Sequence, residues 1–261
     1  MTARARCRAC ARTNAETAKF CRFCGVIIEP EPVGDELGRG ALEEVPPLPS
    51  APPVDGQRIF RELCWLCGLP LVVCVVYAFV VQVWAPSALA ATLATASMVA
   101  IALVGAARSG SLVASSLRLP RPKDILPVLA VALVAAPTLT LAFHLLQSLG
   151  FTFDHSYLLP YERDGWPSYV AYLDLALVTP IAEELLYRGL IQPKLELIIN
   201  STEAWIVQAA LFSAAHLSPV ILVTHFGMGL ALGLVKRRSG SLLPGILLHG
   251  AWNAWVVATA G

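Results

Sequence analysis

Long apolar runs, broken by short polar stretches, decide what this chain can fold into. Residues 63–84, 87–107, 125–149 and 169–190 are predominantly apolar, and 204–217, 219–235 and 242–260 continue the pattern. About 20 residues cross the hydrocarbon core of a bilayer as a helix. Only 14% of the 261 residues are charged, against about 25% in a soluble domain. The pattern predicts an all-α polytopic membrane protein with about seven transmembrane helices. Pro127 and Pro137 predict kinks in the third run. Gly227, Gly229 and Gly233 predict a small-residue face on the sixth, for close helix packing.

The N-terminal quarter is different. Cys7, Cys10, Cys21 and Cys24 form two C-x-x-C knuckles separated by a short polar loop. Four thiolates at that spacing suit one tetrahedral Zn²⁺, closed and therefore structural. A redox dithiol pair and incidental cysteines are the competing readings. Residues 1–28 are expected to form a zinc ribbon, and 29–57, rich in Pro and Glu, an extended linker. Residues 58–261 are then the transmembrane domain. Cys64, Cys67 and Cys74 fall within the first apolar run and read as packing. Thiolate ligation favours a reducing compartment, which puts the N-terminus in the cytosol. Arg58, Arg61, Arg108, Arg118, Arg121, Lys123, Lys194, Lys236, Arg237 and Arg238 then all fall on the cytoplasmic side. No secretory h-region is visible at the start. The formal net charge of +1 points to neither nucleic acid nor an acidic substrate. Membrane lipids, a membrane-associated peptide or protein, and a cytosolic partner for the ribbon are the partners this organisation implies.

Inside the fourth apolar run stand Glu183, Glu184 and Arg188. Ionisable groups at membrane depth are costly, so they mark function by default. Glu184 and Arg188 are four apart and can pair on a helix. Glu183 is turned about 100° away and can face a cavity. A plain structural ion pair is the competing reading. Three further polar residues follow: His216, in Phe212-x-x-x-His216, and His249 and Asn253, four apart. Counting helical rise places Glu183 and His249 each about 10 Å from the cytoplasmic surface. His216 comes out deeper, at about 18 Å. Together they make a hydrolytic set. Glu183 would be general base on a water, His216 would orient that water, and His249 and Asn253 would donate to an oxyanion. The same side chains suit a catalytic divalent metal or a proton pathway.

Glu183-Glu184-x-x-x-Arg188, Phe212-x-x-x-His216 and His249-x-x-x-Asn253, in that order, resemble the three motifs of the CPBP family. These are the CAAX proteases and bacteriocin-processing or immunity proteins, also called the Abi family. Gly229-x-x-x-Gly233 and the run from Arg238 to Pro244 fit the same pattern, and the likeness covers residues 175–258. The resemblance implies helices packed around a polar intramembrane cavity, and an intramembrane endopeptidase with Glu183 as catalytic base. His216 would be its partner on the water, and His249 and Asn253 would hold the oxyanion. Glu184 and Arg188 would organise the site, and Phe212 would pack at the cavity wall. Both a metalloprotease and a metal-free glutamate mechanism are argued for the family. The same fold also serves non-proteolytic scaffolds and immunity proteins.

Overall fold

The computed structural model describes residues 4–6, 13–15, 55–114, 116–150, 157–218 and 221–259. It divides into two units, Met1–Asp55 and Gly56–Gly261. In the first, β1 (Arg4–Arg6) pairs antiparallel with β2 (Thr13–Ala15), with Ala5 opposite Asn14. Cys7, Cys10, Cys21 and Cys24, and nearly all of the expected linker, lie outside the described residues.

The second unit is helical. Its first elements are α1 (Gly56–Trp84), α2 (Ala88–Ser109), the short α3 (Ser111–Ala114) and α4 (Pro122–Ser148). Three of these, α1, α2 and α4, are long and apolar enough to cross a membrane. Their apolar side chains point outward: Val72, Val76, Phe79, Leu133 and Val134 are all more than half exposed. Such a surface belongs against lipid, because a soluble monomer rarely exposes apolar area on this scale. The other expected spans are shorter helices or are assembled from pieces. α5 (Leu159–Arg163) is one and a half turns. From 168 to 195 the chain winds without a break. That stretch comprises α6 (Ser168–Tyr172), a π-wound segment Leu173–Val178, α7 (Thr179–Glu183), a second π-wound segment Glu184–Ile191, and α8 (Gln192–Leu195). Then come α9 (Ser201–Ala214), α10 (Leu222–Ser239) and α11 (Leu243–Thr259).

Several boundaries differ from the sequence expectation for local reasons. α1 starts seven residues before the apolar run, because a polar turn extends it. Arg58 and Glu62 pair there at i,i+4, and Glu62 also binds Lys194 at the far end of the 168–195 helix. α4 continues through both Pro127 and Pro137. α9 begins at Ser201 and not at 204, because Asn200 and Glu203 form a reciprocal capping box. The expected polar loop before the fourth run contains α5, whose Tyr161 is only 1% exposed. Asp164, just past it, accepts from the backbone N–H of Ala88 at 2.8 Å and so completes the start of α2.

Packing is set by small residues. A Cβ on Gly229 would lie 2.9 Å from the Ala209 backbone, and one on Gly233 would strike Gln208 and Trp205. These two glycines let α10 press on α9. Gly227 is turned the other way, against Leu139 of α4. The three expected on one face therefore serve two interfaces. The core runs through Leu66, Leu186, Leu190, Ile191 and Phe212, all fully buried.

Candidate active site

Both π-wound segments lie in the helix that carries the acidic pair. A π turn bonds i to i+5 and widens the helix, and such turns are frequent at functional sites. The second segment starts at Glu184 and holds Arg188. Glu184 and Arg188 are both completely buried, with Arg188 Nη1 donating to Glu184 Oε1 at 2.9 Å. Arg188 Nη2 reaches the Gly229 carbonyl at 3.4 Å. Its guanidinium also lies 4.4 Å from the centre of the Phe212 ring, over its π face.

His249 joins the two carboxylates. Its Nδ1 lies 3.0 Å from Glu184 Oε1, and its Nε2 lies 3.5 Å from Glu183 Oε2. Glu184 thus takes Arg188 and His249 on one oxygen. Its other oxygen is buried without a hydrogen-bond partner and faces Gly245, where a Cβ would come within 2.9 Å. Glu183 is the more accessible of the pair, its side chain 13% exposed. A buried carboxylate fixed by a cation, next to one that solvent can reach, is a division of labour.

α11 reaches this place by docking on the first π-wound segment. Asn253 Nδ2 donates to the Leu175 carbonyl at 2.9 Å. Gly250, between His249 and Asn253, has the Ala176 carbonyl where a Cβ would be, 2.7 Å away. One hydrogen of the Asn253 amide is therefore spent on holding α11. The segment itself is fastened by the buried Asp174, which accepts from Tyr161 Oη at 2.5 Å and from Thr92 Oγ1 at 3.3 Å. Neither Asp174 nor Tyr161 was singled out by the sequence, since one acid and one tyrosine at loop and helix edge carry no spacing signal.

His216 lies just beyond the end of α9, in a turn where Leu217 adopts φ 52°. Its Nδ1 donates to the Phe212 carbonyl at 2.8 Å, so Nε2 is the ring nitrogen not committed to the backbone. Phe212 is the hub of the aromatic packing. Its centroid is 4.9 Å from His216, 5.9 Å from His249 and 5.2 Å from Tyr187, all edge-on. His225, which matched no motif, lies ring to ring with His216 at 4.0 Å and is tied by Nδ1 to the Ile221 carbonyl.

Glu183, Glu184, Arg188 and His249 thus form one cluster, and His216 lies against the Phe212 ring beside His225. Asn253 is one turn along from His249, on the Leu175 carbonyl. Among the described residues, no three His, Cys, Asp or Glu side chains are arranged to hold a metal ion. His249 has both ring nitrogens turned to carboxylates, and His216 and His225 each commit one nitrogen to the backbone. This donor set does not suit a metal centre. Comparison with curated proteins and with solved structures returns no match. A family model does match, over residues 165–255, roughly a third of the chain. That stretch holds all six polar residues of the site, and it is similar to the family described as Rce1-like, the type II CAAX prenyl endopeptidases.

Proposed function

We propose that this chain is an intramembrane endopeptidase that hydrolyses a peptide bond in a membrane-associated protein substrate. Glu183 is the base and the peptide carbonyl is the electrophile. The observation that carries this reading is His249 held between Glu183 and Glu184, with Glu184 fixed by Arg188.

The chemistry follows from that arrangement. Glu183, the accessible carboxylate, takes a proton from water as it attacks the carbonyl carbon. The carbonyl oxygen becomes an oxyanion and needs donors. His249 already donates through Nδ1 to Glu184, so a donor at Nε2 requires the imidazolium form. Glu184 supplies the counter-charge, and Arg188 keeps Glu184 from turning away. The second N–H of Asn253 is the other donor. His216, through its free Nε2, orients the water. Collapse of the tetrahedral intermediate breaks the C–N bond, and Glu183 returns the proton to the leaving amine. Preorganised donors in a dry site are worth more than the same groups in water.

In the same reading the N-terminus and the basic ends of the helices face the cytosol, and Cys7, Cys10, Cys21 and Cys24 bind a structural zinc. The test uses the purified full chain in lipid nanodiscs with a fluorogenic farnesylated C-terminal peptide. Cleavage that disappears in Glu183→Gln, with unchanged thermal unfolding, supports the proposal. Cleavage that survives Glu183→Gln assigns the base elsewhere. No cleavage of prenylated or plain membrane-anchored peptides by the wild type favours the scaffold reading.

A further inference from the structure

A cavity of about 440 Å³ lies between α4 and α10, away from the carboxylates. Val131, Val134 and Thr138 of α4, Leu230 and Leu234 of α10, and Trp205 of α9 are among its walls. The only hydroxyl there, Thr138 Oγ1, is spent on the Val134 carbonyl at 2.7 Å. The walls offer hydrocarbon and no polar partner. The volume lies in the range of ligand sites, roughly 300–1,000 Å³.

One end of the groove is cationic. Leu139 lies against Gly227, while Val131 and Val235 share a second cavity, so the two helices are antiparallel. The start of α4 and the end of α10 therefore lie together. Lys236, Arg237 and Arg238 occupy the last turn of α10, and Lys123 the first turn of α4. The acids at this end include Asp124 in that same turn, Glu203 in the first turn of α9, and Glu196, which acts on Lys236. Arg237 stands at the mouth: its guanidinium covers the Trp205 ring at 5.3 Å. The indole is pinned by its Nε1 donating to the Leu230 carbonyl at 2.8 Å. Arg237 is three residues past Leu234, about 5 Å along the helix. An apolar slot about 10 Å long, from Gly227 to Leu234, thus ends at an aromatic ring and a guanidinium. Tryptophan at a headgroup level and basic residues beside it are what anionic lipid surfaces attract.

We propose that the α4–α10 groove binds one anionic phospholipid, with an acyl chain along Val131, Val134 and Leu230 and its phosphate on Arg237 beside Trp205. The site is linked to His249, though not to the carboxylates themselves, through a smaller cavity. A second cavity, about 80 Å³, shares Val131, Ala135, Leu139 and Ala231 with the groove and reaches His249. A chain in the groove therefore packs against the wall of the candidate active site.

The test needs no catalysis. The full chain is purified in detergent, offered phosphatidylglycerol or phosphatidylcholine with identical acyl chains, and examined by native mass spectrometry. The expected result is retention of one phosphatidylglycerol, preferred by about fivefold or more over phosphatidylcholine. Arg237→Gln should bring that preference close to unity while the protein stays monodisperse. Ala130→Phe, at an exposed position on the groove wall, should reduce retention of both lipids. Equal retention of the two lipids by wild type, or a preference that survives Arg237→Gln, overturns the headgroup assignment. Retention of both lipids unchanged by Ala130→Phe overturns the groove. A second copy of the chain, seated there with no lipid bound, overturns the whole proposal.

Discussion

At the scale of residues, the two adjacent glutamates differ because one is paid for and the other is not. Glu184 is fully buried and is neutralised by Arg188 and His249. Removing one member of a buried, hydrogen-bonded charge set leaves the rest uncompensated, typically at about 3–5 kcal/mol. Arg188→Met is therefore expected to lower stability by about that much, read as a lower unfolding midpoint in detergent. Arg188→Met combined with Glu184→Gln should recover a large part of the loss, since no lone charge then remains. Glu183 is different. It is partly exposed and touches His249 only at 3.5 Å, at the edge of hydrogen-bonding range. Glu183→Gln should leave the unfolding midpoint unchanged while lowering peptide cleavage by roughly two to four orders of magnitude. A fall in both together would make Glu183 a structural group.

At the scale of elements, the helix spacing in the sequence reads some contacts and misses others. The Glu184–Arg188 pair follows from four residues on a helix, and the small-residue contact of α10 with α9 from Gly229 and Gly233 four apart. The bond between Glu184 and His249 had no such signal. It joins residues 65 apart in sequence on separate helices, and spacing within one helix says nothing of such a pair. The seat of α11 was hidden for another reason: Asn253 meets a backbone carbonyl, and a carbonyl looks the same whatever residue carries it. α5 was missed because its apolar face is only Pro160 and Tyr161. The seat of α11 can be tested. In Gly250→Ala the new methyl meets the Ala176 carbonyl, a backbone atom that cannot swing aside. The expectation is a loss of about 1–3 kcal/mol, together with cleavage reduced more than the folded fraction accounts for. Gly245→Ala should also lower cleavage, because the new methyl meets Oε2 of the Glu184 carboxylate that Arg188 and His249 hold in place.

At the scale of the whole molecule, stability and chemistry draw on different solvents. The helical unit turns apolar side chains outward from α1, α2 and α4, and gathers Glu183, Arg188 and His249 around the buried carboxylate of Glu184. The sequence of the first unit contributes four cysteines and a proline-rich run. A segment this small cannot supply a sufficient hydrophobic core and needs a staple. With zinc as the staple, the metal belongs to Cys7, Cys10, Cys21 and Cys24, and the proposed mechanism needs none at the membrane site. Metal analysis of the full chain should then give about one zinc, as a four-thiolate site requires. The variant Cys7→Ser with Cys10→Ser should give almost none, with the cleavage rate of a membrane-anchored peptide unchanged. A zinc that persists in this variant and is lost from His216→Ala or His249→Ala would move the metal to the membrane site. Water activation would then pass from Glu183 to that ion, and His249 would have to leave one of its two carboxylates to ligate it.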